Sequence, residues 1–154
     1  MFNFMKIYFA TDHAGFELKE KLVTFVHDTL GYEVIDCGAY ALDVNDDYPL
    51  YIKKAGEAVS ENPNESRAII LGGSGQGEAM VANKYPHVRA VEYYGGNMEI
   101  IRLSREHNDS NVLSLGARFV TEAEAEEAVS LWFNTPFSKD ERHVRRIAEI
   151  DEIK

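Results

Sequence analysis

Short apolar runs alternate with longer stretches of helical spacing along this chain, and no other feature limits its fold as much. Residues 6–10 (KIYFA), 32–36 (YEVID), 67–71 (RAIIL), 88–91 (VRAV) and 111–115 (NVLSL) read as strands. Residues 14–30 place Leu18, Leu22, Val23, Phe25 and Val26 at helical spacing, and residues 48–60, 78–84 and 97–106 also read as helices. Thr121 with Glu124, and Ser138 with Glu141, each have the Ser/Thr-x-x-Glu form of a capping box. The first opens a helix to about residue 133; the second opens a C-terminal helix over about 138–153. An order of β-α-β-α-β-α-β-α-β-α-α implies a five-stranded parallel sheet with helices on both faces, a doubly wound, Rossmann-like α/β domain. The 154 residues match the roughly 150 that one domain takes, so residues 1–154 are expected to form a single domain.

Composition narrows the function classes. With 26 acidic against 16 basic residues the net charge is −10, which repels a phosphate backbone at long range and argues against a nucleic-acid partner. An anionic ligand would need a local basic site. The lone cysteine, Cys37, can form no intrachain disulfide and no Cys-rich zinc site, and fits a reducing cytoplasm. It is expected to line the core. No run approaches the roughly 18 apolar residues of a membrane span, so no membrane partner is expected. The N-terminus MFNFMKIYFATDHAG lacks the pattern of a signal peptide, and Met5 is an alternative start to Met1.

Doubly wound sheets bind ligands beyond the carboxyl ends of their strands. Four such ends are polar here: Thr11 to Gly15 after strand one, Asp36 to Gly38 with Asp46, Asp47, Tyr48 and Pro49 after strand two, Gly72 to Glu78 after strand three, and Gly116 to Arg118 after strand five. The third is the most informative. Four glycines in six residues cost backbone entropy, which makes sense if main-chain N–H groups turn inward toward an anion. No Lys-Ser/Thr follows, so it is not a Walker loop. A dinucleotide fingerprint would follow strand one, where TDHAG stands, so Asp36 is a false lead as a ribose-binding acid.

Glu78 has two readings. It can satisfy the start of a helix capped by Gly75, or act as a general base whose enediolate product the loop N–H groups hold. The last helix carries Arg142, His143, Arg145 and Arg146. Arg145 has Glu149 four residues on, a solvated pair worth little. Arg142 has no acidic residue three or four positions away, and reads either as a phosphate ligand or as part of an exposed basic face. His13, His107 and His143 stand near polar clusters and read as structural or catalytic. No His/Asp/Glu spacing suggests a dedicated metal site, and Ser74 lacks a base for a hydrolase triad.

Together, DHAG after strand one, DYP after strand two, GGSGQGE…ANK after strand three, REHND before strand five, LGAR after it and R-H-x-x-R in the last helix resemble the ribose-5-phosphate isomerase B family, over about residues 5–150. The resemblance implies conversion of ribose 5-phosphate to ribulose 5-phosphate by proton transfer between C2 and C1, with no metal and no other cofactor. By position, Asp12, His13 and Tyr48 would contact the sugar. Gly73, Ser74, Gly75, Gln76 and Gly77 would hold the enediolate. His107 would assist ring opening beside Asn108, and Arg118, Arg142 and Arg146 with His13 would bind the phosphate.

Two departures matter. Many family members carry a cysteine base where this sequence has Gly72; GGSGQGE looks like the branch with a glutamate base, Glu78. The stretch Tyr93 to Asn97 is about two residues longer than in glutamate-type relatives and bears on substrate preference. A hexose 6-phosphate of the allose or galactose type is the alternative substrate, and a non-catalytic phosphosugar-binding module the alternative class. Glu78 follows strand three, whereas His107 ends a helix running back from that edge, roughly 15 Å away at about 1.5 Å per residue. A two-fold homodimer with shared sites is therefore expected. A dimer of dimers, and which chain supplies Arg142 and Arg146, stay open.

Overall fold

The computed structural model describes residues 3–154. The strands are β1 (Asn3–Thr11), β2 (Tyr32–Asp36), β3 (Ser66–Gly72), β4 (Ala90–Tyr93) and β5 (Val112–Gly116). The α-helices are α1 (Phe16–Thr24), α2 (Pro49–Glu61), α3 (Gln76–Ala82), α4 (Glu99–Asn108), α5 (Glu122–Asn134) and α6 (Glu141–Asp151). All strand pairs are parallel, in the order β2-β1-β3-β5-β4. The sequence reading of a single doubly wound sheet is what the chain forms.

Alternation along β3 shows why the sheet is covered twice. Ile69 and Leu71 join a core with Phe9, Leu22, Ile101 and Trp132. Ala68 and Ile70 join the opposite core with Ile52, Val59, Ala82 and Cys37. Successive side chains point to opposite faces, so a strand buried on both faces must be apolar throughout. Among the described residues, no helix is long and apolar enough to cross a membrane.

The differences from the sequence reading have local causes. The expected helix over 14–30 begins as a 3-10 turn (His13–Gly15) capped by the Asp12 side chain, and ends in a π turn (Phe25–Thr29) where Leu30 N–H reaches Phe25 O. The strand expected over 88–91 starts at Ala90, because Arg89 N–H is taken by the Asn111 side chain at 2.8 Å. α3 starts two residues earlier than expected, with Gly75 at its N-cap in the left-handed region (φ 82°). The Thr121–Glu124 capping box forms in both directions. The Ser138–Glu141 box does not. Asp140 is the N-cap of α6, and the Ser138 hydroxyl meets His143 Nδ1 at 3.0 Å instead.

Candidate active site

Strand order reverses between β1 and β3, whose neighbours β2 and β5 continue the sheet in opposite directions. Such a switch point opens a crevice at the carboxyl edge. A cavity of about 480 Å³ lies there, lined by Asp12, His13, Ala14, Tyr48, Gly73, Ser74, Gly77, Glu78, Arg118 and Phe119.

Each lining residue has a local reason for its place. Thr11 Oγ1 donates to Leu71 O at 2.9 Å, tying the exits of β1 and β3 together. Asp12 is buried and caps Ala14 N–H at 3.0 Å. The next residue, His13, is held by Asp46, whose Oδ1 accepts from its backbone N–H at 3.0 Å and from its Nδ1 at 2.7 Å. Tyr48 precedes Pro49 at the start of α2. It packs so closely on Gly77 that a Cβ there would lie 2.6 Å from its hydroxyl. Beyond β5, Ala117 N–H and Arg118 N–H donate to Gly72 O and Gly73 O, fastening Arg118 over the glycine loop.

Glu78 lies in the first turn of α3 and is only 4% exposed. Burial raises its pKa; the negative charges of Asp12 and Glu92 add to the rise, while the hydrogen bond from its own backbone N–H opposes it. A carboxyl in such surroundings holds its proton more tightly than a solvent-exposed one.

Of the sequence candidates, Asp12, His13, Tyr48, Gly73, Ser74, Gly77, Glu78 and Arg118 meet in this cavity. Gly75 and Gln76 belong to the loop but not to the lining. Gly75 packs on β5 and accepts from Ser114 Oγ at 2.6 Å, while Gln76 is exposed. His107, Asn108, Arg142 and Arg146 lie elsewhere, at the opposite edge of the sheet. α4 ends at Asn108 just before β5 enters, whereas Gly72 and Gly116 pair where β3 and β5 leave.

That second cluster is also rigidly built. Arg105, buried, donates to Asp109 Oδ1 at 2.7 Å and Ser110 O at 2.6 Å; Arg89 donates to Asn108 O at 2.9 Å. The His107 ring packs against His143 of α6, with centroids 4.4 Å apart. Burial and the positive charges around it lower the pKa of His143. Arg142 and Arg146 flank His143 on α6, exposed, and among the described residues neither has an ion-pair partner.

Asp46, Phe119 and the His107–His143 contact were not singled out by sequence reasoning. Nothing local distinguishes Asp46 from Asp47, and Phe119 follows the motif that drew attention to Arg118. Ligand atoms of Asp12, His13 and Asp46 lie within 4.8 Å of one another. His13 Nδ1 and Asp12 Oδ1 are already committed to hydrogen bonds, so the group is a hydrogen-bonded cluster. Asp36 grips the buried Lys19 at 2.8 and 2.7 Å, a structural role.

A doubly wound domain with a buried carboxyl behind a glycine loop at its switch point defines the class, an α/β protein with a crevice for a small polar ligand. The chain belongs to the Ribose/Galactose Isomerase family, whose model matches residues 7–150, and it is an isomerase. It is 41% identical over 143 residues to ribose-5-phosphate isomerase B of Mycobacterium tuberculosis, covering 93% of this chain and 86% of that protein. It is 36% identical over 151 residues to ribose-5-phosphate isomerase B of Escherichia coli, covering 96% and 95%. The structure of ribose-5-phosphate isomerase B from Mycoplasma genitalium with bound ribulose-5-phosphate matches with a TM-score of 0.89 at 33% identity, covering 96% of this chain and 94% of that one. The Thermotoga maritima ribose 5-phosphate isomerase matches with 0.88 at 38% identity, covering 97% and 99%.

Proposed function

We propose that this isomerase interconverts ribose 5-phosphate and ribulose 5-phosphate, with Glu78 as the base. On the open-chain aldose the Glu78 carboxylate removes the C2 proton, and the C–H electrons form an enediolate across C1 and C2. The same proton returns to C1 while the C2 hydroxyl proton passes to the C1 oxygen, leaving the C2 ketone and a C1 alcohol. Main-chain N–H groups of the loop residues that line the cavity, Gly73, Ser74 and Gly77, stabilise the enediolate. Asp12 and Tyr48 hold the sugar hydroxyls, and His13 and Arg118 the phosphate. The carrying observation is the buried Glu78 carboxyl, with its raised pKa, among these groups in one cavity.

The same reading makes the enzyme a homodimer in which the partner completes each site. Separation of Glu78 and His107 to opposite sheet edges supports it. Because His143 packs on His107 and lies between Arg142 and Arg146, the chain that supplies His107 and Asn108 also supplies both arginines. The buried lone thiol supports a cytoplasmic setting. The test is an isomerisation assay with ribose 5-phosphate beside allose 6-phosphate and galactose 6-phosphate. Preference for either hexose would move the substrate to the six-carbon class, and turnover of none would leave a phosphosugar-binding module.

A further inference from the structure

Asp46 reaches His13 from the loop before α2, 33 positions along the chain. Its side chain is 5% exposed, and it does not line the cavity, whereas His13 does. Oδ1 takes both bonds from His13, and Oδ2 has no hydrogen-bond partner. A buried carboxylate with an orphaned oxygen costs stability, so its value has to be sought in what it holds. An ionised carboxylate only accepts hydrogen bonds. Nδ1 of His13 therefore carries a proton, and Nε2 is the nitrogen left for a ligand.

We propose that Asp46 is a positioning residue, fixing the tautomer and ring orientation of His13 so that Nε2 meets the phosphoryl group of the substrate. Two bonds from one oxygen to the backbone and ring of the same residue leave the imidazole little freedom to turn. The rotational entropy that a free histidine would lose on binding is lost in folding instead. The adjacent Asp47 is exposed, so the role falls to Asp46 alone.

This inference rests on the phosphate role given above to His13, and a double-mutant cycle separates the two. The Kd for inorganic phosphate is measured by titration calorimetry, and KM and kcat with ribose 5-phosphate. Asp46→Ala is expected to raise both Kd and KM about tenfold, the scale of a lost charged hydrogen bond, and to raise KM by more than it lowers kcat. Asp46→Asn keeps an acceptor facing Nδ1 and should recover most of the loss. In a His13→Ala background the Asp46→Ala change should alter either constant less than about twofold. An equal rise in both backgrounds would overturn the inference, since Asp46 would then act through the fold or on the sugar directly; so would unchanged Kd and KM in Asp46→Ala. Asp46→Leu, which fills the buried space without an acceptor, carries the same cycle if the alanine variant does not fold. Wild-type protein that binds phosphate without isomerising ribose 5-phosphate would sink the proposed reaction and leave this coupling to be read from Kd.

Discussion

The Glu78 carboxyl occupies the space in which a Cβ at position 72 would stand: both its oxygens and its Cδ would overlap that atom. Gly72 is thus the condition for Glu78 to sit where it does. The departure at this position from the cysteine expected in many family members gains a steric explanation, since the pocket has room for a side chain at 72 or for the Glu78 carboxyl, not both. Gly72→Ala should expel the carboxyl and lower kcat at least about 100-fold, the scale of a lost general base, with the fold intact by circular dichroism. Near-normal kcat in this variant would mean that the base needs no such place.

Glu78→Gln should cost a similar factor in kcat while stabilising the protein at neutral pH. The folded pKa of Glu78 is raised above 4.5, so the stability linked to it is complete below the ordinary value and is lost as pH rises through the raised one. At pH 7 the buried charge is a burden that glutamine removes. Melting temperatures should therefore be higher in the variant at pH 7 and converge with wild type below pH 4.5. For the same reason the acidic limb of kcat/KM should lie above the usual carboxylate range. A variant less stable than wild type at pH 7 would contradict the burial argument.

Much of this site was legible because its signals are local. Four glycines between an apolar strand and a helix are costly wherever they stand, so the loop before Glu78 announced itself, as did the polar exits of β1 and β5. What was not legible depends on tertiary approach. Asp46 and Asp47 are equivalent until the fold brings one to His13. Ser138 has the form of a cap, yet its hydroxyl is drawn to His143. β4 begins late because a side chain from beyond α4 takes its first N–H. The Arg105–Asp109 clamp that fixes the corner after His107 could be seen as a spacing, but its second function, binding the Ser110 and Thr135 carbonyls, could not.

Thiol reagents should leave activity largely unchanged. Cys37 is 8% exposed in the core under α2, and burial together with Asp36 pushes its thiol pKa up, away from the reactive thiolate. Assay after treatment with iodoacetamide, with mass spectrometry of Cys37, checks this. Rapid inactivation tracking modification of Cys37, with substrate protecting, would defeat a glutamate base.

Arg142→Ala should chiefly raise KM for the phosphorylated sugar, because a phosphate remote from the reacting carbons supplies binding energy. Some of that energy is used in the transition state, so kcat falls as well. The exposed guanidinium makes no ion pair with described residues that the substitution would break, so the melting temperature should barely move. If KM and kcat are both unchanged, Arg142 is part of a solvated basic face.

Complementation tests the shared site. Glu78→Gln and His107→Ala homodimers should each be nearly inactive. Unfolded together in equal amounts and refolded, half the dimers are mixed under random pairing. In a mixed dimer one site receives both defects and the other none, so about a quarter of wild-type activity should return. The packing of His143 on His107 extends the argument to α6. If Arg142 travels with His107, Arg142→Ala mixed with Glu78→Gln should regain activity at low substrate, because one site again escapes both changes. Arg142→Ala mixed with His107→Ala should regain none beyond the average of its parents, because each site then carries one of the two lesions. The opposite pattern would assign Arg142 to the chain that supplies Glu78. No recovery in any mixture, with mixed dimers demonstrated by mass spectrometry, would mean that Glu78 and His107 do not meet across a dimer interface.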